Sequence, residues 1–495
     1  MERRLMTGAG LFVIAIVGGL ACTGGAAEPT TKQSSNAIGT PRPGQDWPKF
    51  LGPEGNGVSK ETNLISDWPE SGPKVVWKQP IGTGYSAPSV RDGRLVIFHR
   101  QEDEEIIECR NAATGEAVWK TSYASNYSDP YGYNNGPRCT PLLTENRCYT
   151  YGAEGKLLCT DLQTGKQLWM RDVKADWKLP QWFFGVGCTP ILEDNRLIVL
   201  VGGQPNSGVV AFDATSGKTL WENVGKSTWD GVETGYRDGD TYKWTGKEQI
   251  VSYSSPIAAT IHGKRHVLCL LRHGLVSLDP ENGQLRFKYW FRVRNHESVN
   301  AVRPVVFDDD KIFLTAAYKA GSVLLQVTAD GKSVKEIWKN RDNLQGHWST
   351  PIEVDGYIYG FTGRHEHEGE LRCVSVETGE VEWSTSGYDG DIDKLPILAL
   401  NRRTGEVIDR ATNERVTPPF FGRGSHIRVG NRFIILGEYG TLALAEINPQ
   451  KYVELERTYY PEIHYPAWPA PVLARGRLYL RSEDYLVCLE LRQAK

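Results

Sequence analysis

Methionine is scarce in this chain, with 3 residues in 495, and the longest apolar run is the short one from Leu11 to Leu20. That run is too short to cross a bilayer comfortably, which argues against a permanent membrane helix. Charge of one sign is also lacking: 57 Lys and Arg stand against 60 Asp and Glu, a net charge of −3. There is no basic field for nucleic acid and no acidic tail. No nucleophile elbow, phosphate loop or zinc-hydrolase helix is present, so neither a catalytic residue nor a metal ligand set is assigned. What is plentiful is Gly 52, Pro 27, Tyr 22 and Trp 15, a composition of many short strands and tight turns.

The N-terminus carries a targeting pattern. Arg3 and Arg4 precede the apolar run, and small residues follow it. Residues 1–27 are read as a signal peptide, with cleavage after Ala27 or, in a lipoprotein reading, lipidation of Cys22. The expected destination is the periplasm or cell envelope, with a membrane reached only through a lipid anchor at Cys22. Residues 28–46, rich in Thr, Ser, Pro and Gly, are expected to be a disordered tether. The other eight cysteines require no disulfide. Cys109, Cys159 and Cys373 each lie six residues before a repeat glycine, and Ala211 takes that place once, so they read as small buried residues.

The repeat decides the fold. Cys139-Thr-Pro-Leu-Leu, an inner pair of strands ending at Asp161, and Thr164-Gly165-Lys-Gln-Leu-Trp169 recur as Cys188-Thr-Pro-Ile-Leu, a pair ending at Asp213, and Ser216-Gly217-Lys-Thr-Leu-Trp221. The first-strand proline recurs at 88, 141, 190, 256, 304, 351 and 471, with His426 in its place once. The closing tryptophan recurs at 119, 169, 221, 338 and 383, with Phe287 standing in once, and is expected to wedge between neighbouring blades. The last unit lacks its closing strand, and the segment around Trp77 supplies one. Residues 47–495 are therefore expected to form one all-β domain. It is an eight-bladed β-propeller of four-stranded antiparallel blades, the last blade completed by an N-terminal strand. The unit near Gly424 is the least regular, which leaves seven or nine blades open.

The segment Ala211-Phe-Asp-Ala-Thr-Ser-Gly-Lys-Thr-Leu-Trp221 resembles the tryptophan-docking repeat of the pyrroloquinoline-quinone (PQQ) propeller family. The opening Trp47-Pro-Lys-Phe-Leu-Gly-Pro-Glu-Gly-Asn-Gly-Val-Ser resembles the start of many PQQ-like bacterial propellers. The family includes quinoprotein dehydrogenases, which oxidise alcohols or sugars, and the propeller lipoprotein of outer-membrane assembly, which needs no cofactor. Several signatures of the enzymes are missing. There is no Cys-Cys pair and no Cys-x-x-Cys-His. Trp229-Asp230 is the one Trp-Asp dipeptide, and Asp389-Gly-Asp391-Ile-Asp393 departs from a calcium loop at Lys394 and Leu400.

A binding site is expected at the mouth of the central channel, where the long connections collect. Tyr85, Arg138, Tyr253, Asn300, Arg303, His347, Trp348, Arg423, His426 and Trp468 enter the first strands and are expected to converge there. Three arginines and two histidines would attract a polar or anionic ligand, and the aromatics offer stacking surfaces. Cys139 and Cys188 are read as packing, not as metal ligands. The expected function is a monomeric, exported ligand- or protein-binding scaffold requiring no cofactor, with a small ligand or an envelope protein as partner. The alternative is a PQQ- and calcium-dependent alcohol or sugar dehydrogenase.

Overall fold

The computed structural model describes residues 30–33, 38–180, 184–229, 233–235, 241–243, 251–292, 299–392, 395, 398–400 and 406–493. The signal segment with Cys22, Asp230, Asp393 and Lys394 lie outside these residues.

The strands form eight antiparallel blades, with two small hairpins beside them. Blade three is representative. Ile191–Glu193, Arg196–Gly203, Ser207–Asp213 and Thr219–Asn223 pair in sequence order from the channel outward. Each blade alternates short apolar strands with turns, and its buried faces pack against the neighbouring blades. The ring closes as expected: Val75–Pro80 pairs antiparallel with Tyr485–Glu490 as the outer strand of blade eight, placing Trp77 opposite Cys488.

The repeat tryptophans are the wedges. The indole N–H of Trp119 donates to the Leu162 carbonyl of the next blade at 3.0 Å. Trp169 does the same to Ala214 at 3.0 Å, Trp221 to Pro280 at 3.0 Å, and Trp77 across the closure to Ala112 at 3.2 Å. The Thr-Gly and Ser-Gly turns are explained by the same contact. Gly165 and Gly217 have φ of +74° and +71°, and a Cβ on either would meet Trp119 at 2.5 Å or Trp169 at 2.8 Å. The aspartate before each turn holds it. Asp213 accepts from Thr215 N, Ser216 N and the Ser216 hydroxyl, and these bonds keep its carboxyl below the usual carboxylate range. The small residue at the Cys109, Cys159, Cys373 and Ala211 position also has a cause. Each lies directly opposite a closing tryptophan in the strand ladder.

The segment expected to be a tether is largely laid on the propeller. Thr30–Gln33 adds a fifth strand to the outer edge of blade one. Arg42 pairs with Glu490 at 2.7 Å, and Arg475 grips Asp46. These contacts bring ordered structure well before Asp46, so the tether reading is corrected over residues 30–33 and 38–46. The next residues, 47–59, plug the channel from the face on which the inner hairpins turn. Trp47 and Val90 exchange backbone bonds of 3.0 and 2.8 Å, Leu143 N donates to the Pro48 carbonyl, and Val58–Ser59 lies parallel on Ser425–Val429. Turns at Gly52, Gly55 and Gly57, all at positive φ, coil the segment tightly enough to fit.

At blade seven His426 replaces the marker proline. It is 2% exposed, packed on Phe361 and Phe433, and burial lowers its pKa to about 4. The folded value lies below the unfolded one, so the unfolded chain takes up the proton first. His426 therefore costs nothing above pH 6.5 and destabilises the fold as pH falls toward 4, by at most about 3 kcal/mol. His426→Gln is expected to flatten the fall in denaturation midpoint between pH 6.5 and 4.5; an unchanged slope would contradict the assignment. Trp119→Ala should lower stability by about 3–5 kcal/mol in denaturant titrations, as for other buried aromatics. Leu168→Ala, at a site 44% exposed, should change it by no more than about 0.5 kcal/mol.

Candidate functional site

The long connections from outer to inner strands gather on the face opposite the plug, around a cavity of about 240 Å³. One of these connections carries an extra hairpin, Leu398–Leu400 paired with Val407–Asp409.

Strand alternation explains the cavity wall. Counting back from each blade's marker, the third residue lines the cavity in all eight blades: Tyr85, Arg138, Gly187, Tyr253, then Ala301, Trp348, Arg423, Trp468. The residue just before the marker lines it in seven, supplying Thr140, Thr189, Ser255, Thr350 and Ser425 as hydroxyls. Two of those hydroxyls also link blades, since Thr140 N donates to Thr189 Oγ1 and Thr189 N to Ser255 Oγ. Residues 50 and 51 of the plug, Phe and Leu, form the floor.

Eight of the ten residues singled out in the sequence line this one cavity: Tyr85, Arg138, Tyr253, His347, Trp348, Arg423, His426 and Trp468. Asn300 does not. It sits one place out of phase, wholly buried, and its amide donates to the Leu271 and Phe291 carbonyls. Arg303 does not either. It is in phase, but turns onto the plug and donates to the Gly55 carbonyl at 3.0 Å, and burial lowers its pKa to about 10. The hydroxyl ring, Asp129, Tyr133 and Phe184 were missed. The proline register carried the signal for the first, while the other three lie in connections without a repeat.

The electrostatics differ from the expected cationic mouth. Arg138 pairs with buried Asp129 at 2.9 Å and lies over the Tyr85 and Tyr127 rings. Arg423 contacts Glu438 at 2.8 Å and Glu366 at 2.6 Å, with its guanidinium over Trp348 and Trp468. Those carboxylates raise its pKa above the ordinary value, against the opposing effect of burial. The Trp468 indole N–H donates to Glu438 at 2.9 Å. Both arginines are thus committed to carboxylates. The rings form a continuous wall, with centroids 4.6 Å apart for Tyr85 and Trp468, 4.9 Å for Trp348 and Trp468, and 4.7 Å for His347 and Trp348. On the blade-six side, Trp348 Nε1, His347 Nδ1 and the Thr350 hydroxyl are buried without a hydrogen-bond partner among the described residues. Burial holds His347 well below the usual imidazole pKa, so it is neutral at pH 7.

Among the described residues no group of three or more His, Cys, Asp or Glu is arranged to hold a metal ion. Asp389 and Asp391 are exposed on their loop, and Trp229 is buried against Trp290. All eight described cysteines are free and buried. Burial pushes the Cys188 thiol up to about 12, which makes it unreactive.

Comparison with known proteins agrees with this architecture. No curated protein matches the chain. Among solved structures it is similar to BamB from Moraxella catarrhalis, at 13% identity and a TM-score of 0.53, over 85% of this chain and 100% of that one. It is also similar to the quinohemoprotein alcohol dehydrogenase from Comamonas testosteroni, at 12% identity and a TM-score of 0.58, over 91% and 81%. At such identities the likeness is one of fold. A family profile described as outer membrane protein assembly factor BamB matches residues 102–385, more than half of the chain. The protein belongs to that family of PQQ-like β-propellers.

Proposed function

We propose that this chain is an exported binding scaffold that holds a ligand or a partner protein in the aromatic mouth of its propeller. The observation that carries the reading is the commitment of Arg138 and Arg423 to Asp129, Glu438 and Glu366. It leaves a wall of rings and hydroxyls with no free cation at the cavity among the described residues. The leader in residues 1–27 supports export, and the family contains an outer-membrane assembly factor.

PQQ with calcium is a poor fit to these residues. Its carboxylates would need cationic partners and its metal ion would need carboxylate or amide oxygens. Arg303 faces the plug, the other two arginines are neutralised, and Asp129 and Glu438 are already held by them. The dehydrogenase reading has no observation of its own at this mouth.

Purified protein incubated with PQQ and calcium is expected to show neither stoichiometric uptake nor dye-linked oxidation across a panel of alcohols and sugars. Turnover would replace the scaffold reading with the enzymatic one. Arg423→Ala should destabilise the protein by about 3–5 kcal/mol in denaturant titrations, because it strands fully buried Glu438. A near-neutral change would show that the arginine is not part of the frame.

A further inference from the structure

A second concavity, of about 850 Å³, adjoins the cavity on the same face. It is walled by residues 81–83, by 100–102, 104 and 106 of blade one, by 133–135 and by Glu483. The ring of Tyr133 belongs to both hollows and is 54% exposed; Tyr131 beside it is 48% exposed.

The two hollows differ in chemistry. The cavity is aromatic, with Thr350 more than nine-tenths buried and its hydroxyl unpartnered among the described residues. The groove is acidic. Glu102 and Glu104 are exposed, and neither makes an ion pair among the described residues. Glu483 is half-buried beside Asn134, and burial raises its pKa above the usual carboxylate value. Of the nearby cations, Arg481 and His464 act on Glu483, while Glu102 and Glu104 are left without an ion pair among the described residues. Arg100 is bound to Asp103 and to the Glu102 and Tyr127 carbonyls. Arg481 is buried and donates to the Ser86, Phe98 and Gly82 carbonyls.

We infer that cavity and groove form one site for an extended, positively charged peptide segment of a partner protein. An aromatic or aliphatic side chain enters the cavity past Tyr133, and a lysine or arginine lies over Glu102, Glu104 and Glu483. This deepens the scaffold reading and rests on it. An extended chain suits the layout, because it can present an apolar group to one hollow and a charge to the next. Exposed tyrosines flanking a pocket are the residue type that anchors interfaces. The exposed, unpaired carboxylates of Glu102 and Glu104 select for a basic partner and against an anionic one.

The test uses the mature full-length chain and a fluorescein-labelled decapeptide containing one tryptophan and three lysines, read by anisotropy. A glutamate-for-lysine counterpart serves as the control. The lysine peptide is expected to bind, more weakly as salt is raised, and the glutamate peptide not to bind. The combined Glu102→Gln, Glu104→Gln, Glu483→Gln variant should raise Kd at least tenfold, and Tyr133→Ala similarly, with unaltered melting. No binding of the lysine peptide, equal binding of both peptides, or an unchanged Kd in the glutamine variant would overturn the inference. A neutral oligosaccharide that binds at the mouth when the peptide does not would also overturn it, while sparing the scaffold reading. Quinone-dependent turnover in the reconstitution above would remove both.

Discussion

An indole lying flat on a glycine of the next blade is the contact on which this molecule depends. Trp77 on Gly115, Trp119 on Gly165, Trp169 on Gly217 and Trp338 on Gly379 repeat it around the ring. The contact needs a residue without a side chain on one blade and a large flat one on the other. It also sets the distance and tilt between the sheets. The indole N–H then donates to a carbonyl of the neighbouring turn. Small residues opposite Trp77, Trp119 and Trp169, and the side-chain caps of Asn111, Asp161 and Asp213 on the turns they pack against, go with the same geometry.

With blade spacing fixed outside, the inner strands are fixed too, and simple alternation decides what faces the channel. The third residue before each marker faces the cavity, and the residue just before the marker does so in every blade but the fifth, whatever their chemistry. That is how Gly187 and Ala301 come to share a wall with Trp348 and Arg423. The site is therefore written on a repeated scaffold whose frame is indifferent to what it displays. Its character comes from substitutions at eight equivalent places and from connections of unequal length.

This explains what could be read from the sequence. The fold was legible because the tryptophan, glycine and proline recur at near-constant spacing, and each has a local physical reason. Most of the mouth was legible from the same register. Asn300 and Arg303 were misplaced for different reasons, one by a step in phase and the other by a contact the register does not contain. The plug motif was visible as a run of glycines, but its partners are strands of blades one, two and seven. Nothing local announces such pairings. Nor does sequence alone reveal that Arg138 and Arg423 are neutralised, since Glu438 and Glu366 belong to other loops.

Floor and ring closure share a property: both join the start of the chain to its end. Val58 rests on Arg428, Trp77 on Cys488, and the Tyr460 hydroxyl reaches the Pro73 carbonyl across 387 residues. A chain emerging from its N-terminus therefore carries both pieces long before their last partners exist. The hollow cannot be assembled blade by blade. It is complete only when blades seven and eight arrive: Ser425–Val429 finishes the pairing of the floor, and Tyr485–Glu490 supplies the clasp of the ring. Once complete, the molecule is a cup and not a pipe, its hollow open over one rim.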